Sequence, residues 1–421
     1  MSRYSAAPKP LESAVLVYIN PNEEEDLVME EEFAGLCEAA LVEPVASLRQ
    51  RLSRPNSRTF VGSGKAIEIA ELVSESDADV VLIDGEISAV QQRNLQEVTG
   101  RKVVDRTQLI LDIFARRATT REGMLQVELA QLSYIKPKLM TFYTKFERQK
   151  GGIGMRGPGE TKLESDRRMV DDKISKLKVE LEDVKRIRGQ QRLARRRHPF
   201  PFASIVGYTS AGKSTLMNRL SGTELLVDAM PFATLDPTTR KVELPNGYSL
   251  FLTDTVGFIR NLPTHLVAAF RATLEEVTQS DFLIHLVDIS NSAWESQMSA
   301  VDETLQVLNA AQKPMITVFN KMDLVEDPTT LRRLVAEHPM SVTISASSGR
   351  GVDELMRFIM KQVQDLLGSV KALVPYSESA LVQDCYDFGK VLKVDYRDEG
   401  IYIEAEIVEE MRKKLEKYNI S

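Results

Sequence analysis

The sequence predicts an α/β chain of several domains, with a mostly parallel sheet at the centre of the largest. Three observations lead there. An apolar run over 203–206 passes through a glycine-rich turn into a helical run over 215–220. The first hundred residues alternate apolar strand-like runs with helix-spaced ones, as layered α/β folds do. Between these regions Leu163, Val170, Leu177 and Val184 recur every seven residues, with Ile174 and Leu181 between them. That is the seam of a long packed helix.

In chain order, 14–19 reads as a buried strand and 27–40 as a helix. Val80 to Asp84 is a second apolar strand, closed by the turn pair Asp84-Gly85. A helix over 88–98 and a short strand over 102–104 follow. Gly62-Ser63-Gly64-Lys65 has a lysine after glycines, but lacks the spacing and the hydroxyl of a phosphate loop. It reads as a turn and a helix start. From 107 to about 135 the pattern is one long helix, and a second runs from about 163 to 195. Two long helices in succession form an antiparallel hairpin. Between them stand Gly151, Gly152, Ile153, Gly154, Met155, Arg156, Gly157, Pro158, Gly159 and Glu160. Five glycines and a proline in ten residues predict a loop at the hairpin tip. Pro199 and Pro201 end the second helix. The expected domains are therefore 1–106 (α/β), 107–198 (helical hairpin), 199–369 (the main α/β domain) and 370–421 (a small α+β domain). In the last, 391–396 and 401–406 read as a hairpin around a turn at 397–400, followed by a helix over about 408–418.

The 421 residues are 43% hydrophobic and 27% charged, an ordinary globular composition. Net charge is −7, yet the stretch from Lys136 to Arg197 holds 19 Lys/Arg against 9 Asp/Glu. Tyr134, Phe142, Tyr143 and Phe146 lie near its start. Clustered cations neutralise phosphates and aromatic rings stack on exposed bases. The competing reading is a solvated helix surface whose aromatics cap the hairpin core. Two distant cysteines, Cys37 and Cys385, suit a reducing cytosol and offer no zinc framework. No apolar run approaches the ~18 residues a membrane span needs, and the first ten residues have no signal-peptide core. A cytoplasmic protein without an integral membrane segment, monomeric when free, is the expectation.

Four short segments carry chemistry. Gly207, Tyr208, Thr209, Ser210, Ala211, Gly212, Lys213 and Ser214 fit the phosphate-loop pattern, and Thr215 opens a helix behind them. Glycines let backbone N–H groups converge on phosphates, and the helix dipole adds to that. Lys213 is expected to reach the β- and γ-phosphates as a catalytic residue, and Ser214 to ligate Mg²⁺. Asp254, Thr255, Val256 and Gly257 form a DxxG turn at a strand end: Asp254 can hold a magnesium-bound water, and Gly257 is expected to act as a catalytic residue whose amide approaches the γ-phosphate. Asn320, Lys321, Met322 and Asp323 decide the base. Guanine offers two adjacent donors that the Asp323 carboxylate can accept together. Adenine would oppose it with a lone pair, and a polar group left unpaired rejects the wrong ligand. Asn320 can bond the base edge and tie the loops together, while the Lys321 stem covers the ring. Ser345, Ala346 and Ser347 follow another strand and can meet the guanine carbonyl through their backbone. Together these predict a GTP/GDP site.

The ordered set resembles a translation-factor-class P-loop GTPase. Pro231, Phe232, Ala233, Thr234, Leu235 and Asp236, continuing as Pro237-Thr238-Thr239-Arg240, resemble the first switch of the HflX family within the Obg–HflX group. The loop from Gly151 to Thr161 and its long helices resemble that family's N-terminal region. The resemblance implies that Phe232 to Asp236 join the GTP site and that Thr234 binds Mg²⁺ and serves catalysis. It implies association with the large ribosomal subunit and its rRNA, with the loop Gly151 to Glu160 inserted near the peptidyl-transferase centre. It also implies splitting of stalled or idle ribosomes under stress. One position departs: the family usually carries asparagine where this chain has Ser210, which puts a potassium-assisted hydrolysis in doubt.

Phe258 stands where many GTPases place a water-orienting glutamine. It reads as a hydrophobic anchor, so hydrolysis is expected to be slow alone and raised by the ribosome. Arg240 and Arg260 flank the switches and read as solvated. Two rival readings are a nucleotide-gated RNA- or ribosome-binding module with incidental hydrolysis, and an ATP-assisted RNA remodeller.

Overall fold

The structure, a computed structural model, describes residues 12–20, 26–52, 54–147, 158–196, 200–222, 231–232, 237–260 and 271–420. They form two compact units, taken here in turn.

The first unit, which includes residues 12–182, runs β1 (Glu12–Asn20), α1 (Asp26–Ala39), β2 (Val42–Arg51), α2 (Ser63–Ser76), β3 (Val80–Asp84), α3 (Ala89–Thr99), β4 (Lys102–Asp105), α4 (Arg106–Arg117), α5 (Arg121–Glu147) and, as far as Glu182, the helix α6 (Pro158–Arg196). The strands pair in parallel in the order β2-β1-β3-β4. Val15, Val17, Val81 and Ile83 meet Ile69 and Leu95 of the covering helices in one core. β2 has no counterpart in the sequence expectation. It is an edge strand, mostly exposed, and carries Pro44 beside a register shift. An edge strand needs neither an apolar run nor every N–H, so its pattern is faint. The single long helix expected from 107 is two helices. Ala118 leaves the helical region at ψ 116, and Thr120 Oγ1 accepts the Gly123 N–H at 3.0 Å, starting α5 afresh. α5 then continues beyond the expected end, through Pro137.

α5 and α6 form the expected antiparallel hairpin. Their ion pairs run in opposite order: Arg121–Glu180, Lys173–Glu128 and Lys136–Asp171. Ile174, Leu177 and Leu181 are buried, and Val170 is half-buried, so the heptad seam is the buried stripe. α6 begins at Pro158, a favoured first helical residue. Pro158, Gly159 and Glu160 are therefore helix and not loop, a correction to the expected tip. Gly151 to Gly157 lie outside the described residues.

The second unit runs β5 (Phe202–Gly207), α7 (Lys213–Ser221), β6 (Thr238–Glu243), β7 (Ser249–Asp254), α8 (Arg271–Gln279), β8 (Phe282–Asp288), α9 (Trp294–Val307), β9 (Met315–Asn320), α10 (Pro328–Glu337), β10 (Ser341–Thr343) and α11 (Val352–Leu366). Its six-stranded sheet has the order β10-β9-β8-β5-β7-β6 and is parallel except for β6 against β7. Ala203, Ile205, Ile284, Leu286, Ile316 and Val318 build its core with Leu216 of α7 and Leu355 of α11. Strands buried on both faces read as continuous apolar runs, which is why most were legible. The chain then forms β11 (Leu367–Val374), α12 (Ser379–Phe388), β12 (Lys390–Arg397), β13 (Gly400–Val408) and α13 (Glu409–Leu415). The three strands are antiparallel in the order β11-β13-β12. The expected hairpin is there; β11 and α12 were not anticipated. The terminal helix ends at Leu415 and finishes in a single 3-10 turn, Glu416–Tyr418. Among the described residues no helix is long and apolar enough to cross a membrane.

Candidate nucleotide-binding site

Parallel α/β sheets place ligands at the carboxyl ends of their strands. In the six-stranded sheet those ends are Gly207 of β5, Asp254 of β7, Asp288 of β8, Asn320 of β9 and the segment after β10. Four of the five belong to the segments singled out in the sequence.

The first loop wraps from β5 into α7. Two of its glycines are sterically required. A Cβ on Gly207 would fall 2.3 Å from the Leu286 carbonyl oxygen, and one on Gly212 would fall 2.5 Å from Asn320 Nδ2. Gly212 also sits at φ 95. Ser210 takes φ 61 without being glycine. Lys213 folds back over the strand end: its Nζ donates to the carbonyls of Tyr208 at 2.8 Å and Gly207 at 3.2 Å. Burial lowers the Lys213 pKa to about 8, and Asp254 pulls it back up. A desolvated ammonium in a glycine cradle is what an incoming phosphate would stabilise.

Ser214 Oγ donates to Asp254 Oδ2 at 2.7 Å, which puts a hydroxyl and a buried carboxylate side by side. Thr255 is fully buried and its Oγ1 donates to the Ile205 carbonyl at 2.7 Å. Val256 and Gly257 are buried. A Cβ on Gly257 would meet Thr209 Cγ2 at 2.8 Å and Lys213 Nζ at 3.1 Å, so only glycine lets this backbone come so close. Phe258 is buried at 2% exposure. Arg240 and Arg260 are half-buried, a correction to the solvated reading.

Asn320 joins two of the loops. Its Nδ2 donates to the Ala211 carbonyl at 2.8 Å, and its Oδ1 accepts the Ala346 N–H at 2.9 Å. Met322 N–H donates to the Ile344 carbonyl at 3.0 Å. Ser345 Oγ accepts the Ser348 N–H at 3.2 Å and meets Ser347 Oγ at 3.1 Å. Asp323 is exposed, and its carboxylate makes no hydrogen bond or ion pair with a described residue. It is an acceptor held open beside a braced loop. Lys321 sits at φ 64 and pairs with Asp288 at 2.5 Å, an anchor the sequence did not disclose. Arg219 of α7 was missed as well; its Nε donates to the Ala346 carbonyl at 3.3 Å, and it also bonds the Ser347 carbonyl. Neither Asp288 nor Arg219 belongs to a motif, so spacing gave no signal.

Phe232 is grouped with the first unit, where its ring meets Phe114 edge-on at 4.6 Å. Ala233, Thr234, Leu235 and Asp236 lie outside the described residues. Among the described residues no cluster of three or more His, Cys, Asp or Glu forms a metal cage. Ser214 and Asp254 are hard oxygen donors, the kind Mg²⁺ accepts when phosphate and water complete its shell.

Comparisons with known proteins agree across the chain. A family profile described as GTP-binding GTPase N-terminal matches residues 28–115, and GTP-binding GTPase Middle Region matches 117–195. A profile described as 50S ribosome-binding GTPase matches 202–321. The GTPase HflX of Lacrimispora saccharolytica is 45% identical over 404 residues, covering 95% of this chain and 94% of its own. That of Escherichia coli is 40% identical over 399 residues, covering 94% and 93%. Among solved structures, a GTP-binding protein from Sulfolobus solfataricus in complex with GDP is 26% identical, with TM-score 0.46, covering 84% of this chain and 99% of that one.

Proposed function

The chain belongs to the HflX family of GTPases, and from that premise we propose that its GTP state controls binding to the large ribosomal subunit. It is a GTP-hydrolysing enzyme. In the reading advanced here, it works in the cytoplasm as a monomer when free, and it splits stalled or idle ribosomes under stress.

The observation that carries the guanine-nucleotide reading is Asn320, which clamps the phosphate loop at Ala211 to the loop at Ala346. Asp323 stands open beside it to accept the two guanine donors. Lys213 would meet the β- and γ-phosphates, and the Gly257 amide the third. Magnesium fits the Ser214 and Asp254 donors, with Thr234 as the further ligand the family resemblance implies. Bound there with the triphosphate, it would neutralise charge building on the phosphoryl oxygens. The chain's own contribution to the chemistry is positioning and electrostatics. Phe258 adds no hydrogen-bonding side chain to orient water, so hydrolysis is slow until a partner orders the switches.

The ribosome reading is supported by the family profile and by the hairpin. With its seam buried, α6 turns Lys176 and Lys178 outward, and neither forms an ion pair with a described residue. The aromatic part of the RNA reading changes. Tyr134 is buried, and its hydroxyl donates to Asp105 at 2.6 Å, so it serves the core. The side chains of Phe142, Tyr143 and Phe146 lie outside the described ones. The tip Gly151 to Glu160 remains the proposed ribosome-binding element. Sucrose-gradient sedimentation with whole ribosomes tests this, using GTP, a non-hydrolysable analogue and GDP. Co-sedimentation with large subunits and loss of the intact-ribosome peak are expected with GTP and the analogue. Equal behaviour with GDP would sink the switch.

A further inference from the structure

The parallel pairing of β5 with β7 ends at Ile205 and Asp254, then resumes as a single bridge between Tyr208 and Phe258. Two residues lie between those points on the β5 side and three on the other. The extra residue makes a bulge of Thr255, Val256 and Gly257 over the phosphate loop. Three hydrogen bonds close its far end. Phe258 N–H donates to the Gly207 carbonyl at 3.1 Å, and Thr209 N–H donates to the Phe258 carbonyl at 2.9 Å. Arg260 N–H donates to the Tyr208 hydroxyl at 2.9 Å. The first two are main-chain bonds open to any sequence. The third requires a hydroxyl at position 208.

Inside the closed bulge Gly257 is buried, and its N–H makes no hydrogen bond to a described residue. Buried backbone donors are almost always paired. This one sits beside the Lys213 ammonium, where an anionic oxygen would satisfy both. Holding such a donor in place against water is preorganisation, and its benefit goes only to a ligand that reaches it.

We propose that Tyr208 is a positioning residue that separates GTP from GDP: its hydroxyl pins Arg260, which holds the Gly257 amide ready for the third phosphate. The inference rests on reading this site as a guanine-nucleotide site. A diphosphate is held by the loop amides and Lys213 and does not reach Gly257. The pin therefore acts on triphosphate affinity through a group that Tyr208 itself does not touch.

The test is the dissociation constant of the full chain for GDP and for a non-hydrolysable GTP analogue, in the wild type and in Tyr208→Phe. The preference for the triphosphate is expected to fall roughly five-fold, the size of one lost hydrogen bond. A preference that is unchanged or increased, including both ligands weakened equally, overturns the proposal. A wild type that binds neither nucleotide would instead sink the guanine-nucleotide reading beneath it. Amide hydrogen exchange on the nucleotide-free wild type tests the pin even if the variant fails to fold. The Arg260 amide is expected to be protected, and exchange at the rate of an open amide overturns the pin.

Discussion

The two parallel sheets end differently at the same edge. In the first, the carboxyl ends of β3 and β4 carry Asp84 and Asp105, and the chain meets both with its own cations. Arg106 bonds Asp84 at 2.7 Å and also pairs with Glu32. Asp105 accepts from Tyr134 at 2.6 Å, Lys138 at 3.0 Å, Gln108 N–H at 2.8 Å and Ile87 N–H at 3.3 Å. In the second sheet the same edge holds a folded-back Lys213, together with an open Asp323 and a Gly257 amide that bond no described residue. One edge is a knot and the other is a socket. Both are polar and rich in carboxylates, so composition does not separate them; what each leaves unsatisfied does.

The largest expected effect comes from cutting the knot. Asp105 has a side chain with no exposure, and burial with Asp105 beside it keeps the Tyr134 phenol protonated. Asp105→Ala removes the counter-charge of the half-buried Lys138 ammonium and the acceptor of the buried Tyr134 hydroxyl. A loss of about 4 kcal/mol of stability is expected, read by urea denaturation, with nucleotide affinity of the folded fraction within about two-fold of wild type. A loss under about 1 kcal/mol would mean the edge is not held by this residue.

Emptying the socket should do the reverse. Asp323→Asn puts an amide donor against the guanine donors and touches no described partner. Stability is expected to stay within about 0.5 kcal/mol. GTP affinity should drop roughly 10²-fold or more, about 3 kcal/mol, while xanthine nucleotides, which carry a carbonyl oxygen at that edge, gain. Isothermal titration with both nucleotides decides it. Equal loss of both would place Asp323 away from the base.

A third experiment asks whether the socket's floor behaves like its rim. His285 lies in β8 at 1% exposure, and burial, aided by the Lys213 cation, lowers its pKa to about 4. The folded value lies below the ordinary 6.5, so the unfolded chain takes the proton first. This contribution is full above about pH 6.5 and is lost as pH falls toward 4. Between pH 7.5 and 5 the wild type is expected to lose on the order of 2 kcal/mol more than His285→Gln. Parallel pH profiles for the two proteins would remove His285 from the account.

How much of this was legible follows from how local each feature is. The socket's motifs are contiguous, so spacing alone announces Gly212, Lys213, Asp254 and Asn320. The knot is not: α4 and the first half of α5 separate Asp105 from Lys138, and no sequence window spans their logic. Edge strand β2 hid behind exposed residues, and the α4–α5 break behind Thr120, a cap in a run of good helix formers. The Tyr208 pin falls between these cases. Its residue stood in a recognised motif, but at a position that motif leaves free.

The smallest expected effect lies in the phosphate loop itself and asks what the socket costs when empty. Ser210 is exposed and held at φ 61, a conformation that crowds Cβ against its own backbone. Glycine escapes that crowding, and asparagine tolerates it better than most residues. In the nucleotide-free protein, Ser210→Asn is expected to raise stability by about 0.5 kcal/mol, and Ser210→Val to lower it by more than that gain. The order Asn above Ser above Val in thermal melts would show that the loop keeps its bound-like backbone without a ligand. Equal melts for all three would mean that position 210 relaxes out of φ 61 when the site is empty. The socket would then be assembled by its nucleotide, unlike the knot, whose partners are present in the chain.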